Sequence, residues 1–133
     1  MSNNCRQCAE FARILGAGIL DSSNDLCVVT FLRNIPAEIL DRPTHSPLAL
    51  AALFSYESPN SQGKTLNLGE TVILQEEINP FISILRSHGI GITALHNHWL
   101  FDCPRLMYIH FESIDFPLEF ARKVADALKV LRK

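Results

Sequence analysis

The sequence lacks the long apolar run that a membrane-spanning helix needs. Such a helix requires about 18 consecutive apolar residues, and no stretch of the 133-residue chain reaches that length. The first residues, MSNNCRQCAEFAR, also lack the charged and then apolar layout of a secretory signal. We therefore expect no membrane partner and a cytoplasmic location.

The chain has little net charge, with 12 Lys and Arg residues against 14 Asp and Glu residues, or −2 at pH 7. Proteins that bind nucleic acids or acidic membranes generally carry an excess of positive charge, so we expect no nucleic-acid partner. With 47% hydrophobic and 20% charged residues, the composition is that of a globular protein. The length is that of a single domain, which we expect to span residues 1–133.

Cysteines are few, and the four in the chain are Cys5, Cys8, Cys27 and Cys103. Because thiols stay reduced in cytoplasmic proteins, we expect no disulfide framework. Cys5 and Cys8 form a C-x-x-C pair, but a redox motif of that kind follows a strand and opens a helix. A four-cysteine zinc site would need a second close pair, which is absent from the sequence. We interpret these cysteines as small buried or half-buried side chains on a helix.

Apolar residues recur at helical spacing in three segments, residues 4–15, 75–89 and 115–133. Short β-branched or alternating segments predict strands at residues 26–32, 48–57, 65–74, 90–96 and 105–113. Residues 33–47 contain three prolines and predict a loop, with one helical turn near residues 37–40. Helices and strands mix without a strict alternation. The pattern therefore predicts an α+β fold, with a mixed or antiparallel sheet of about five strands and helices mainly on one face.

Three of the five histidines, His96, His98 and His110, lie within one short stretch. Successive side chains of a strand alternate between its faces, so His96 and His98 share a face if the strand continues to residue 98. They would then lie about 7 Å apart along the backbone. Neutral imidazole is the commonest metal ligand in proteins, and an H-x-H pair on a strand can supply two such ligands to a zinc ion.

Whether His110 reaches this pair depends on the turn between the two strands. A tight hairpin centred near Phe101 would leave His110 about 13 Å from His96 by strand rise. A loop of about nine residues would instead place the two histidines opposite each other, where residues share a face. The spacing leaves both arrangements open.

Three histidines with an open position for water form a catalytic zinc pattern, which lowers the pKa of the bound water towards 7. The sequence therefore predicts a small metal-dependent enzyme, with hydrolysis as the default reaction. Glu77 and Asp102 are candidates for the general base or a further ligand, and Glu70 and Glu112 are also close in sequence. Arg105 could bind an anionic group of a substrate through two hydrogen bonds.

Two other functions remain open. The chain could be a non-catalytic module that binds a metal or a small molecule, or an interaction domain whose histidines only anchor a loop. Trp99, Leu100 and Phe101 form an apolar loop tip, which could close over a small-molecule ligand or contact a second subunit in a homodimer.

The segment GITALHNHWLFDCPRLMYIHF resembles the signature of an uncharacterised domain family typified by the LppY and LpqO lipoproteins. That signature has a TALHNH strand, a short loop with an acidic residue and Pro-Arg, and a second strand with His-Phe. The upstream segment LGETVILQEEINPFISILRSHGI is similar to the family's acidic helix start, and the resemblance covers about residues 64–131. The matching positions are Glu77, Asn79, Pro80, His96, Asn97, His98, Pro104, Arg105 and His110.

The resemblance implies no particular reaction, because the family has no established activity. Asp102 stands where a glutamate is common in the family. Some members are secreted or lipid-anchored and many are longer or duplicated. This sequence shows neither an export signal nor a second unit, so we do not expect an envelope role for it.

Overall fold

The computed structural model describes residues 3–131. Its four helices are α1 (Asn3–Leu15), α2 (Pro47–Leu50), α3 (Ile78–Ser87) and α4 (Pro117–Leu128), and a 3₁₀ turn (Gln75–Glu77) precedes α3. Its nine strands are β1 (Gly18–Ser23), β2 (Leu26–Leu32), β3 (Glu38–Ile39), β4 (Arg42–Pro43), β5 (Ala51–Glu57), β6 (Thr65–Ile73), β7 (Gly91–Asn97), β8 (Asp102–Cys103) and β9 (Met107–Asp115). None of the described helices is long and apolar enough to cross a membrane.

The strands form two antiparallel sheets. The main sheet has six strands in the order β1-β2-β5-β6-β9-β7, and β4-β3-β8 form a small second sheet. The predicted α+β fold is confirmed, and the antiparallel alternative for the sheet is the one observed. Strand β1 was not predicted, because all six of its residues are exposed and the strand carries no apolar alternation.

The long helices cover one face of the main sheet, as predicted. Helix α1 packs against α4, β1 and β2, while α3 and α4 pack against each other and against the other half of the sheet. Buried phenylalanines join these layers, and each contributes about 1.5–3 kcal/mol by leaving water. They are Phe11, Phe54, Phe81, Phe111 and Phe120. Gly69 lies beneath this cluster, where a Cβ atom would come within 2.2 Å of the Phe111 ring, so no larger residue fits there without repacking.

A smaller core covers one end of the opposite face. Side chains from residues 33–50 pack there against β6, β9 and the segment before β9. The buried members of this core include Ile35, Leu50, Val72, Leu106 and Tyr108. The predicted helical turn near residues 37–40 is wrong. Strands β3 and β4 pair there as a hairpin, and its turn residues Leu40 and Asp41 have φ values of 53° and 62°. That left-handed geometry closes a tight hairpin and excludes a helical turn.

No helix of residues 3–131 covers the rest of that face, which we call the open face. The register defines two rows of side chains across it, since directly paired residues share a face. The first row is Thr30, Leu53, Glu70, His110 and Ala94, and the second is Asp21, Val28, Ser55, Leu68 and Glu112. The carboxylates of Glu70 and Glu112 thus lie beside apolar side chains of β2, β5 and β6, namely Val28, Leu53 and Leu68.

The expectation that all thiols are reduced is wrong for Cys8 and Cys27, which form a disulfide with their Cα atoms 5.5 Å apart. Helix α1 lies against β2, and both cysteines are fully buried at this contact. Cys8 is buried as predicted, whereas Cys5 is exposed. Helical spacing does not specify which strand the helix packs on, and the expectation of reduced thiols rested on an assumed cytoplasmic location.

Candidate functional site

His96 and His110 meet on the open face. The β7–β9 register pairs His96 with Tyr108 and Ala94 with His110, so the two histidines are diagonal neighbours. Their Nε2 atoms lie 3.0 Å apart, and their ring centroids are 5.1 Å apart. The arrangement is thus intermediate between the two that the sequence left open, and it brings the rings into direct contact.

A backbone carbonyl orients the ring of His96. Its Nδ1 atom lies 2.9 Å from the carbonyl oxygen of Asn97. Because a carbonyl oxygen can only accept, Nδ1 carries the proton and the lone pair of the neutral ring is on Nε2. That lone pair points at Nε2 of His110, where it can accept a proton from His110 or bind a cation. A partner on the second ring nitrogen is also how proteins orient histidines that bind metals.

His98 lies beside this pair without joining it. Its ring centroid is 6.1 Å from that of His96, 4.3 Å from Tyr108 and 4.7 Å from Trp99. Its Nδ1 atom is buried and has no hydrogen-bond partner among the described residues. Burial lowers the pKa of His98, and the neighbouring His96 lowers it further. The ring is therefore held in the neutral form that binds metals.

The three histidines do not form a finished metal centre. Among residues 3–131, no three His, Cys, Asp or Glu side chains are placed to hold one ion. The structure brings together two of the three predicted ligands, His96 and His110, and places the ring centroid of His98 6.1 Å from that of His96. The three-histidine site stays a prediction.

Glu70 is the acidic residue that the sheet places directly opposite a histidine. It pairs with His110 across β6 and β9. The phenol of Tyr108 lies in the next row, where it donates a hydrogen bond of 2.9 Å to the carbonyl of Ala51. Burial, and then the charge of Glu70, raises the pKa of Tyr108 to about 12. Tyr108 is therefore a neutral hydrogen-bond donor at ordinary pH and not a base.

Asp102 and Arg105 lie in the loop that joins β7 to β9, where their contacts fix its shape. Asp102 Oδ2 accepts a 2.7 Å hydrogen bond from the amide of Leu106. Arg105 donates one of 2.9 Å to the carbonyl of Trp99 and lies 3.4 Å from Asp102 Oδ1. Strand β8, which contains Asp102, pairs with β3. Through these contacts, Asp102 and Arg105 position the loop. The catalytic roles predicted for the two residues stay predictions.

Glu77, the remaining predicted catalytic residue, is 3% exposed. Its carboxylate accepts hydrogen bonds of 2.8 and 2.7 Å from the guanidinium of Arg33 and one of 2.9 Å from the amide of Leu74. Arg33 also donates to the carbonyl of Val72 at 3.1 Å. The pair therefore ties residue 33, which follows β2, to the turn before α3. A substrate would have to displace these contacts to reach the carboxylate.

A groove of about 390 Å³ runs over the open face and reaches His110. Its volume is within the usual range for small-ligand pockets. Apolar and polar side chains line it in turn, among them Val28, Leu53, Ser55, Leu68, Glu70, Thr93, His110 and Glu112. The sequence analysis missed Leu53 and Leu68 as lining residues. The strand parity that linked the histidines could have found them, had the pairing of β5 with β6 been known.

The family described as Domain of Unknown Function (DUF1259) matches residues 9–130. The chain belongs to this family. The DUF1259 match confirms the prediction of an uncharacterised domain family and covers every residue of the histidine site. The finer resemblance to the LppY and LpqO type stays a prediction. No curated protein and no solved structure matches the chain significantly.

Proposed function

We propose that this DUF1259 domain binds a divalent metal ion, zinc most readily, between Nε2 of His96 and Nε2 of His110. The observation that supports this is the 3.0 Å distance between the two atoms. Two nitrogens bound to one tetrahedral zinc ion lie about 3.3 Å apart, given Zn–N bonds of about 2.0–2.1 Å. Widening this distance by a few tenths of an ångström, together with a turn of the rings that aims both lone pairs at the ion, would admit it. The Asn97 carbonyl fixes the proton of His96 on Nδ1 and leaves Nε2 free to bind.

His98 and Glu70 are the groups nearest to complete the coordination. His98 is kept neutral by burial, and a rotation of its side chain would turn it from Tyr108 towards His96. Glu70 pairs with His110 in the sheet and could act as a ligand or as the general base. His96 is exposed, which gives water and a substrate access to the ion.

Hydrolysis by metal-activated water is the reaction that we propose. A zinc ion in such a site lowers the pKa of its bound water towards 7. Glu70 is better placed to take the proton than Glu77 or Asp102, because those two carboxylates are engaged by Arg33 and by the Leu106 amide.

A non-catalytic binding module is the second candidate. The groove beside His110 supports it without any reaction, because it combines apolar contact area with a few polar groups, as small-ligand sites do. The loop tip supports a homodimer, because Leu100 and Phe101 are 78% and 68% exposed and exposed apolar clusters often mark protein interfaces. The disulfide favours an oxidising compartment over the cytoplasmic location that we predicted.

Metal titration of untagged, chelator-treated protein tests the proposal. We expect about one equivalent of zinc to bind, and His96→Ala or His110→Ala to weaken binding at least about 100-fold. His45→Ala is the matched control, because His45 is exposed and lies outside the site. A wild-type chain that binds no zinc, or binding that both site variants leave unchanged, would contradict the proposal.

Activity separates the two candidates. Zinc-loaded protein is assayed against chromogenic carboxylic esters, phosphate esters and peptides. For the enzyme, we expect Glu70→Gln to keep the metal and lose about 100-fold or more in rate, as when a general base is removed. Zinc binding without hydrolysis of any of these substrates would favour the binding module.

A further inference from the structure

The groove on the open face has acidic groups and, within residues 3–131, no Lys or Arg side chain. Glu70 and Glu112 line it, and Asp21 extends the row that contains Glu112. None of the Lys and Arg residues in the described part of the chain is among the lining residues. The groove therefore repels anions and attracts cations.

Three basic residues of the described chain are engaged outside the groove. Arg105 donates to the carbonyl of Trp99 in the β7–β9 loop, and Arg33 is buried against Glu77. Lys123 pairs with Asp115 at 2.6 Å beside α4. An anionic substrate, which the sequence predicted would bind Arg105, would thus meet two carboxylates in the groove and no Lys or Arg side chain of the described residues.

Apolar side chains form the other half of the groove. Val28 and Leu53 are half-buried, and Leu68 is 39% exposed. Leu53 pairs with Glu70, and Leu68 pairs with Glu112, so each leucine is one strand from a carboxylate, or about 4.8 Å. A ligand that covers the leucines would place its end group between the two carboxylates and next to His110.

We propose that the groove binds a small organic amine, with its ammonium group at Glu70 and Glu112 and an apolar body over Leu53 and Leu68. The distance from β2 to β9 is three strand spacings, about 14 Å, which fits an apolar body of about six to ten carbon atoms. As the substrate class of the metal site this rests on the proposed function, whereas binding of the amine itself needs no metal.

A second copy of the chain fits this face less well than an amine does. Two open faces packed against each other would bring Glu70 and Glu112 of both copies together, and like charges in contact are unfavourable. The exposed Leu68 and the two carboxylates, Glu70 and Glu112, are instead complementary to one molecule that is both apolar and cationic.

Calorimetric titration of metal-free protein with three probes of equal chain length tests the proposal. The probes are n-octylamine, 1-octanol and sodium octanoate, each below its micelle concentration, at pH 7 and low salt. We expect octylamine to bind at least about tenfold more tightly than octanoate. Salt at 0.5 M should reduce this preference, because screening weakens exposed charge pairs.

Variants assign the preference to the groove. Glu70→Gln and Glu112→Gln should each weaken octylamine binding about two- to fivefold, and the double variant should remove the preference over octanoate. Leu53→Ser should weaken octylamine and octanol alike. Asp41→Asn makes the same change of charge in the β3–β4 turn, outside the groove, and should have no effect.

Equal binding of octylamine and octanoate would overturn the proposal, and so would a preference that the double variant keeps. Thermal unfolding of each variant checks that the fold is retained. Zinc uptake without an amine preference contradicts the groove proposal alone. An amine preference in protein that takes up no zinc contradicts the metal enzyme alone, so the two failures are distinguishable.

Discussion

Replacing Glu77 by leucine tests whether this residue holds the fold together. In the wild type, Arg33 and Glu77 make two parallel hydrogen bonds of 2.8 and 2.7 Å, and their side chains are 3% and 4% exposed. Glu77→Leu removes the carboxylate and leaves the guanidinium of Arg33 buried without these two charge-assisted hydrogen bonds. Breaking a buried pair in this way costs about 3–5 kcal/mol.

That cost is a large part of the stability of a domain this size, which is about 5–15 kcal/mol. The unfolding entropy of 133 residues is about 0.28 kcal/mol/K, so we expect the Tm to fall by about 10–18 °C. Urea unfolding followed by circular dichroism gives the free energy, and a thermal scan gives the Tm.

The double variant Arg33→Met/Glu77→Leu is the decisive control. It removes both charges, and apolar replacements of a buried ion pair are often neutral or stabilising. We therefore expect it to recover most of the stability that Glu77→Leu loses. A loss below about 1 kcal/mol in the single variant, or losses that simply add in the double variant, would refute the structural role of the pair. Zinc uptake by Glu77→Leu below its Tm should match the wild type, since the histidine pair is elsewhere.

Three further predictions concern the same fold. Tyr108→Phe removes the hydrogen bond to the buried carbonyl of Ala51 and should cost about 1–3 kcal/mol in urea unfolding. Because burial lowers the pKa of His98, the unfolded chain binds the proton more readily. The stabilisation is thus fully present above about pH 6.5 and is lost as the pH falls below it; thermal unfolding at pH 7.5 and 5.5 should show a larger decrease for the wild type than for His98→Phe. Reduction of the Cys8–Cys27 disulfide, which spans 19 residues, should cost about 3 kcal/mol in urea unfolding.

Each of these predictions has an outcome that contradicts it. Tyr108→Phe with wild-type stability would mean that the Ala51 carbonyl finds another donor. Equal pH dependence of the wild type and His98→Phe would show that His98 is not desolvated. A peptide map under non-reducing conditions that recovers Cys8 and Cys27 as separate thiols would contradict the disulfide.

Local sequence patterns predicted the elements whose burial alternates. Strand β2 was predicted with its observed bounds because its segment is short and β-branched, and its side chains at Cys27 and Val29 are buried. The helical period over residues 115–133 predicted α4, which buries Phe120, Ala121, Val124 and Ala127 and leaves Leu118 and Leu128 half-buried. The face that a helix buries depends on its neighbours, α1 and α3, which periodicity alone does not specify.

The histidine site shows the same limit. Strand parity predicted that His96 and His110 share a face, but their contact depends on the register, and the register depends on the loop between them. That loop is held by Asp102 and by the pairing of β8 with β3, which lies about sixty residues earlier in the chain. A pairing so distant leaves no trace in the local spacing of residues.

Strand β9 directs alternate side chains to two different tasks, packing of the core and contact with a ligand. Ile109 and Phe111 point into the helix-covered core, while His110 and Glu112, between and after them, point to the open face. Exchanges at the second pair can change what the domain binds without creating a cavity or a clash beneath it. Within the family, we therefore expect relatives whose ligands differ to vary more at Glu112 than at Ile109 and Phe111. The sheet would then act as a fixed frame on which the chemistry of one face diversifies.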